Sequence, residues 1–359
     1  MIFFSLLKRY DWLLLGSVFF LISASLLSLL SSNPQFFYRQ LLWFAVALIL
    51  IFGGSVVHWR WLIAQGWFRY GLYILSLMLL LVTNLQSHTV RGTKSWLFIG
   101  GFQFEPSELV KLSIIFLLAG FFSRRYIQAW LGKNIFTSFG LTILPVALIL
   151  IQPDFGSASV IMMIWVGFVV LSGVNVKRFV LALCVGIIAA VIAWSFLFKP
   201  YQKARLTGFI FPTADPLGVN YNVIQSKIAI GSAGLFGKGF GAGTQVHLKF
   251  LPEAQTDFLF AAFVEEWGII GGALLILAFL ILLSRMISIG LKTSGNDMKF
   301  VVLGGCVVMM VHFIINIGSN LGFLPVAGVP FPFLSYGGSS LLTLGALMGI
   351  VEHIQLESR

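Results

Sequence analysis

The stretch Leu251-Pro-Glu-Ala-Gln-Thr-Asp-Phe-Leu-Phe-Ala-Ala-Phe-Val-Glu-Glu-Trp-Gly268 joins an apolar helix to four acids, Glu253, Asp257, Glu265 and Glu266. The pattern predicts Asp257 in the first turn of that helix, at or just inside a membrane, with Glu265 and Glu266 two to three turns deeper. Carboxylates at such depth are costly, so an intramembrane acid is a functional candidate by default. Asp257 is therefore where chemistry is expected, and the remaining chain reads as a scaffold that brings a lipid-borne, anionic substrate to it.

Three further stretches offer groups for the same site. In Trp96 to Lys111, Pro106 suits a first helical position, and Glu105, Glu108 and Lys111 recur every three residues on one helix face. Glu108 and Lys111 either bind substrate, with Trp96, or neutralise each other so that a polar helix end can enter the membrane. Gln152-Pro-Asp-Phe-Gly-Ser157 reads as a tight turn, in which Asp154 either faces a ligand or bonds its own backbone. Lys203 and Arg205 open a long loop and could hold phosphate, or simply form a solvated basic face. The segment from Pro325 to Ser340, which includes Ser335, has the irregular backbone of a cavity wall. His312, Asn316 and Asn320 lie four apart on one helix face and are expected to make interhelical hydrogen bonds. Six glycines crowd residues 231–243, but Lys238 is followed by Gly239, so this is no nucleotide-binding phosphate loop. The glycines instead permit tight turns or close approach to a ligand.

The elements that must position these groups are membrane helices. The chain has 359 residues, 58% hydrophobic and 10% charged, with a mean hydropathy of +0.98, outside the range of soluble domains. The expected fold class is all-α: one polytopic domain over 1–359, with about ten transmembrane helices and one long extracytoplasmic loop over 199–256. Spans are predicted near 12–31, 38–57, 67–84, 106–122, 135–151, 157–174, 179–198, 257–284, 299–321 and 334–352. The first is too long for a cleaved signal and is read as retained.

Lys8, Arg9, Arg60, Arg124, Arg125, Lys177 and Arg178 fall on one set of connections, against only Arg39, Arg91 and Lys94 on the short opposite ones. Both termini are thus expected in the cytoplasm. The net charge of +11 fits anionic headgroups rather than nucleic acid. Cys184 and Cys306 lie within apolar runs and suggest neither a disulfide nor a metal cluster. Most acids, among them Glu105, Glu108, Asp154 and Asp257, fall on the outer side, which points to an outward-facing site.

Phe104-Glu-Pro-Ser-Glu-Leu-Val-Lys111, Gln152-Pro-Asp-Phe-Gly156, Leu251-Pro-Glu-Ala-Gln-Thr-Asp-Phe258 and Pro332-Phe-Leu-Ser-Tyr-Gly-Gly-Ser-Ser340 resemble the signature blocks of the SEDS (FtsW/RodA/SpoVE) family of bacterial inner-membrane peptidoglycan glycosyltransferases. The short N-terminus is more similar to the rod-shape branch, RodA, than to the division branch. The resemblance implies polymerisation of lipid II into β-1,4 glycan with inversion, Asp257 as general base, Mg2+ or Mn2+ as a divalent cation with no organic cofactor, and a class B penicillin-binding protein as partner. Lys203, Arg205 or Lys111 would meet the leaving pyrophosphate, or a cation held partly by Asp154. Glu105 and Gln255 depart from the family pattern, where Gln and His are common. A lipid II flippase and a non-catalytic scaffold for the transpeptidase are the alternatives; the crowding of acids at one face and the want of an obvious inverted repeat weigh against transport.

Overall fold

The structure, a computed structural model, describes residues 9–85, 93–99, 102–124, 132–173, 207–211, 218 and 220–357. Helix boundaries follow local signals. The Asp11 side chain accepts the Leu14 amide at 3.1 Å and caps α1 (Trp12–Ser32). One residue later Asn33 caps α2 (Pro34–Ser55) by accepting the Gln35 amide at 3.0 Å, with Pro34 opening the helix. A short α3 (Trp59–Ala64) leads into α4 (Gly66–Leu85). Then follow α5 (Pro106–Ser123), α6 (Gly132–Ile151), α7 (Phe155–Leu171), α8 (Tyr221–Gly231) and α9 (Thr244–His247). The chain closes with α10 (Leu259–Lys292), α11 (Asn296–Leu321) and α12 (Gly338–Glu357).

Among the described residues, eight helices are long and apolar enough to cross a membrane, and α7, with 17 residues, is a shorter apolar one. These correspond to nine of the ten expected spans; the one near 179–198 lies outside the described residues. The chain is a multi-pass membrane protein. Within the loop expected over 199–256, the described part carries α8 and α9.

The structure adds one element and corrects one expectation. A two-stranded antiparallel hairpin, β1 (Leu97–Ile99) paired with β2 (Phe102–Phe104), precedes α5, with Leu97 opposite Phe104. The sequence Leu-Phe-Ile-Gly-Gly-Phe-Gln-Phe carries the sign of it, two β-prone triplets around Gly100-Gly101. And α10 is not one continuous span. At Gly268 the backbone leaves helical geometry (φ 76°, ψ −179°), so a short helix carrying Glu265 and Glu266 is set off from the membrane helix beyond it.

The interior is apolar and continuous. The helices α5 and α12 are buried along most of their length, while α2 and α4 turn Leu42, Ile49, Trp67 and Met78 outward, as lipid-facing helices do. Small residues bring α12 against α2: a Cβ on Gly349 would sit 2.6 Å from the Leu50 carbonyl oxygen.

Candidate functional site

Asp257 does not lie in the first helical turn. It sits two residues before α10, in a turned segment that ends at Phe258. Leu251, Ala254 and Phe258 anchor that segment in a small apolar cluster with Ala229 of α8, Val246 of α9, and Ala261 and Ala262. The Asp257 side chain is half-buried, and its Oδ2 is 4.0 Å from where a Cβ on Gly328 would stand. From the other side, the Tyr336 amide donates to the Gln255 carbonyl at 3.0 Å.

The other signature segments meet around this turn. Glu105, at the start of α5, accepts hydrogen bonds from Ser107 and, at 3.2 Å, from Ser157. The Glu105 amide donates to Ser339 Oγ at 3.0 Å, tying β2 and α5 to α12. Gly156, in the first turn of α7, lies so close to the Pro325–Gly337 segment that a Cβ there would be 1.9 Å from the Ala327 oxygen. Residues far apart in sequence are thereby gathered at one end of the bundle.

The individual candidates fare differently. Glu108 and Lys111 are buried, and the Lys111 ammonium donates to Glu108 Oε1 at 2.8 Å, the self-neutralising pair that the sequence left open. Lys111 also reaches His312 Nε2 at 3.1 Å, while His312 Nδ1 faces the Pro330 carbonyl at 3.1 Å. An ammonium has no lone pair, so Nε2 accepts and Nδ1 carries the ring proton. Asp154 caps α7: its Oδ1 accepts the Ser157 amide at 3.0 Å, the backbone-bonding alternative. Trp96 is half-buried just ahead of β1. Ser335 is buried, its hydroxyl accepting the Phe331 amide at 3.0 Å and its carbonyl accepting Gln40 Nε2 at 3.3 Å, so it shapes the Pro325–Gly337 wall. Lys203 and Arg205 lie outside the described residues.

Glu105 departs from the family pattern, and its carboxyl is pushed up to about 7. Burial is the chief cause, reinforced by the Asp154 and Glu108 charges and opposed by Lys111 and the Ser107 hydrogen bond. Glu265 and Glu266 are also buried, but their partners are structural. Glu265 accepts Lys238 Nζ at 2.7 Å, Thr244 Oγ1 at 3.1 Å and the Gln245 amide at 3.0 Å; Glu266 accepts Ser31 Oγ and faces His247 Nε2 at 3.3 Å. They dock the glycine-rich segment onto the break in α10. Among the described residues no three His, Cys, Asp or Glu side chains gather as metal ligands. A cavity of about 300 Å³ lies between α8 and the 322–326 segment, lined in part by Asn220, Asn222, Lys227 and Val326.

The FtsW/RodA/SpoVE family, described as cell cycle proteins, matches residues 5–359. The chain belongs to that family. Its similarity to the peptidoglycan glycosyltransferase MrdB of Escherichia coli K12 is 37% identity over 292 residues, covering 81% of this chain and 78% of MrdB. Stage V sporulation protein E of Bacillus subtilis is 36% identical over 339 residues, covering 91% of this chain and 89% of that protein. Among solved structures, a chain of a peptidoglycan synthase complex that coordinates polymerization and crosslinking superposes with a TM-score of 0.84 at 30% identity, covering 97% of this chain and 98% of its own. The rod-shape-determining protein RodA of Thermus thermophilus gives 0.71 at 27% identity, with 96% of each chain covered. These family matches agree with the four signature blocks.

Proposed function

We propose that this chain is a peptidoglycan glycosyltransferase that joins lipid II into β-1,4-linked glycan strands during cell elongation, with Asp257 as general base. The observation that carries this reading is the convergence of the four signature segments on the Asp257 turn. The names of the relatives supply the reaction class. The Lys and Arg distribution supports a bacterial inner-membrane placement with both termini in the cytoplasm and the Asp257 end facing outward.

In the reaction, the acceptor sugar's hydroxyl oxygen attacks the donor anomeric carbon from the face opposite the pyrophosphate. Its proton passes to Asp257 as the carbon–pyrophosphate bond breaks, and the configuration inverts. Departing negative charge needs cations or oriented donors. Lys111 is already committed to Glu108 and His312, so Lys203 and Arg205 are the better candidates for the pyrophosphate. A class B penicillin-binding protein is the proposed partner, which would crosslink the strands made here.

The test is polymerisation of lipid II by detergent-solubilised protein with its transpeptidase partner. With no bilayer to flip across, glycan product identifies an enzyme, and Asp257→Asn should abolish it in a protein that still purifies folded. Absence of product from the parent protein would favour a flippase or scaffold, and product from Asp257→Asn would remove Asp257 as the base.

A further inference from the structure

The Asp257 backbone carbonyl is held by two side chains of α11. In a helix begun one turn earlier, the Ala261 amide would donate to the Asp257 carbonyl. It does not. The Asn320 side chain stands between them: Asn320 Oδ1 accepts the Ala261 amide at 3.2 Å, and Asn320 Nδ2 donates to the Asp257 carbonyl at 2.9 Å. One carboxamide thus replaces a single rung of the helical ladder with two hydrogen bonds, and the ladder starts instead at Phe258, whose carbonyl accepts the Ala262 amide at 3.0 Å.

Asn316, one turn earlier on the same face of α11, doubles the hold. Its Nδ2 donates to the Asp257 carbonyl at 3.0 Å and to the Val329 carbonyl at 2.9 Å. A single amide group therefore ties the Asp257 turn to the wall that places Gly328 beside Asp257 Oδ2. Asn320 Nδ2 also donates to the Asn316 carbonyl at 2.8 Å, and both side chains are buried. Buried carboxamides at two successive turns, spent on one carbonyl of another segment, are more than helix packing requires.

We infer that Asn320 and Asn316 are positioning residues for Asp257: by intercepting the ladder they keep Asp257 out of α10 and fix its carboxylate against the Gly328 wall. This rests on the proposed role of Asp257 as base. Replacing Asn320 by Leu removes donor and acceptor together and lets the Ala261 amide close onto the Asp257 carbonyl, drawing Asp257 into the helix. Displacement of a base by about 1 Å is worth up to ~100-fold in rate.

The experiment compares the full chain, in complex with its transpeptidase partner and in detergent, as parent, Asn320→Leu, Asn320→Gln and Asp257→Asn, using lipid II. Asn320→Leu should lower kcat on the order of 10- to 100-fold with KM within about twofold. Asn320→Gln, which keeps a donor and an acceptor, should recover part of the loss, and the acid limb of the kcat–pH profile should move in the Leu variant. Should Asn320→Leu not purify as a folded protein, Asn316→Ser carries the same expectation in weaker form, since it removes one of the two donors to the Asp257 carbonyl. Parent-like kcat in a folded variant, or a loss that merely follows the folded fraction, overturns the inference. Inactive Asp257→Asn beside a fully active Asn320→Leu sinks the positioning role alone; active Asp257→Asn sinks the base and the positioning role together.

Discussion

Lys111 is buried with two neighbours that receive its hydrogens. Glu108 supplies the opposite charge and His312 a ring lone pair. Removing one member leaves the other charged and buried, a loss on the order of 3–5 kcal/mol. Lys111→Met should therefore lower the melting temperature in detergent sharply, and adding Glu108→Gln should restore part of the loss; additive losses would show that the two side chains do not act as a pair. Glu105 makes a different demand. Its folded-state pKa of about 7 lies above the ordinary 4.5, so between those values the folded chain holds a proton that the unfolded chain has released. Stability from this group is then greatest in acid and declines as pH rises through that window. Glu105→Gln should melt a few degrees above the parent near pH 8 and together with it near pH 5. A pH-independent difference would place the effect elsewhere. Both residues were visible in the sequence as a three-residue repeat, but which of the alternatives applied depended on His312, Asp154 and Ser157, which only folding brings near.

At the scale of elements, the break in α10 determines how the glycine-rich segment is used. The Lys238 and Gly239 amides donate to the Glu265 and Glu266 carbonyls, each at 3.0 Å, and the Ile269 amide donates to the Gly234 carbonyl at 3.0 Å. A Cβ on Gly268 would lie 2.2 Å from the Leu235 oxygen, and one on Gly237 would lie 2.1 Å from the Glu266 oxygen. Gly237 and Gly268 serve close approach of backbone to backbone, while Gly234, Gly239 and Gly241 take positive φ with open space beside them, as turn glycines do. Gly268→Ala faces both that clash and a backbone conformation that costs side-chain-bearing residues roughly 1–3 kcal/mol. The variant should be less stable, with faster proteolysis within 234–243, while cleavage at parent rates would show that the segment is held by the Glu265 and Glu266 side chains alone. Nine of the ten spans and most of their boundaries were readable because apolar length and capping are local properties: Pro106 opens its helix as expected. The Gly268 break was not, since a glycine in Trp-Gly-Ile-Ile-Gly-Gly looks like any small residue of a membrane helix. Nor was the role of Asn316 and Asn320, whose four-residue spacing was plain but whose shared partner, Asp257, lies about sixty positions away.

For the molecule as a whole, α1 and α10 run antiparallel and are fastened at both ends. At one end Asp11 accepts the Arg285 guanidinium, and the Asp11 amide donates to Glu352 Oε2 at 3.2 Å. At the other, Ser31 donates to Glu266. The 21 residues of α1 separate the two fastenings by about 30 Å, the thickness of a hydrocarbon core. The polar groups thus form two layers, one at each end of an apolar bundle, and Asp257 belongs to the layer that contains Glu266. Helices fastened twice can lose one fastening without losing register at the other. Asp11→Ala removes a helix cap and a partly screened ion pair, together worth roughly 2–3 kcal/mol. It should lower the melting temperature while leaving lipid II polymerisation per folded molecule at the parent value. A fall in turnover beyond the loss of folded protein would mean instead that strain at the Asp11 end travels along α10, through the Gly268 break, to the turn that holds Asp257.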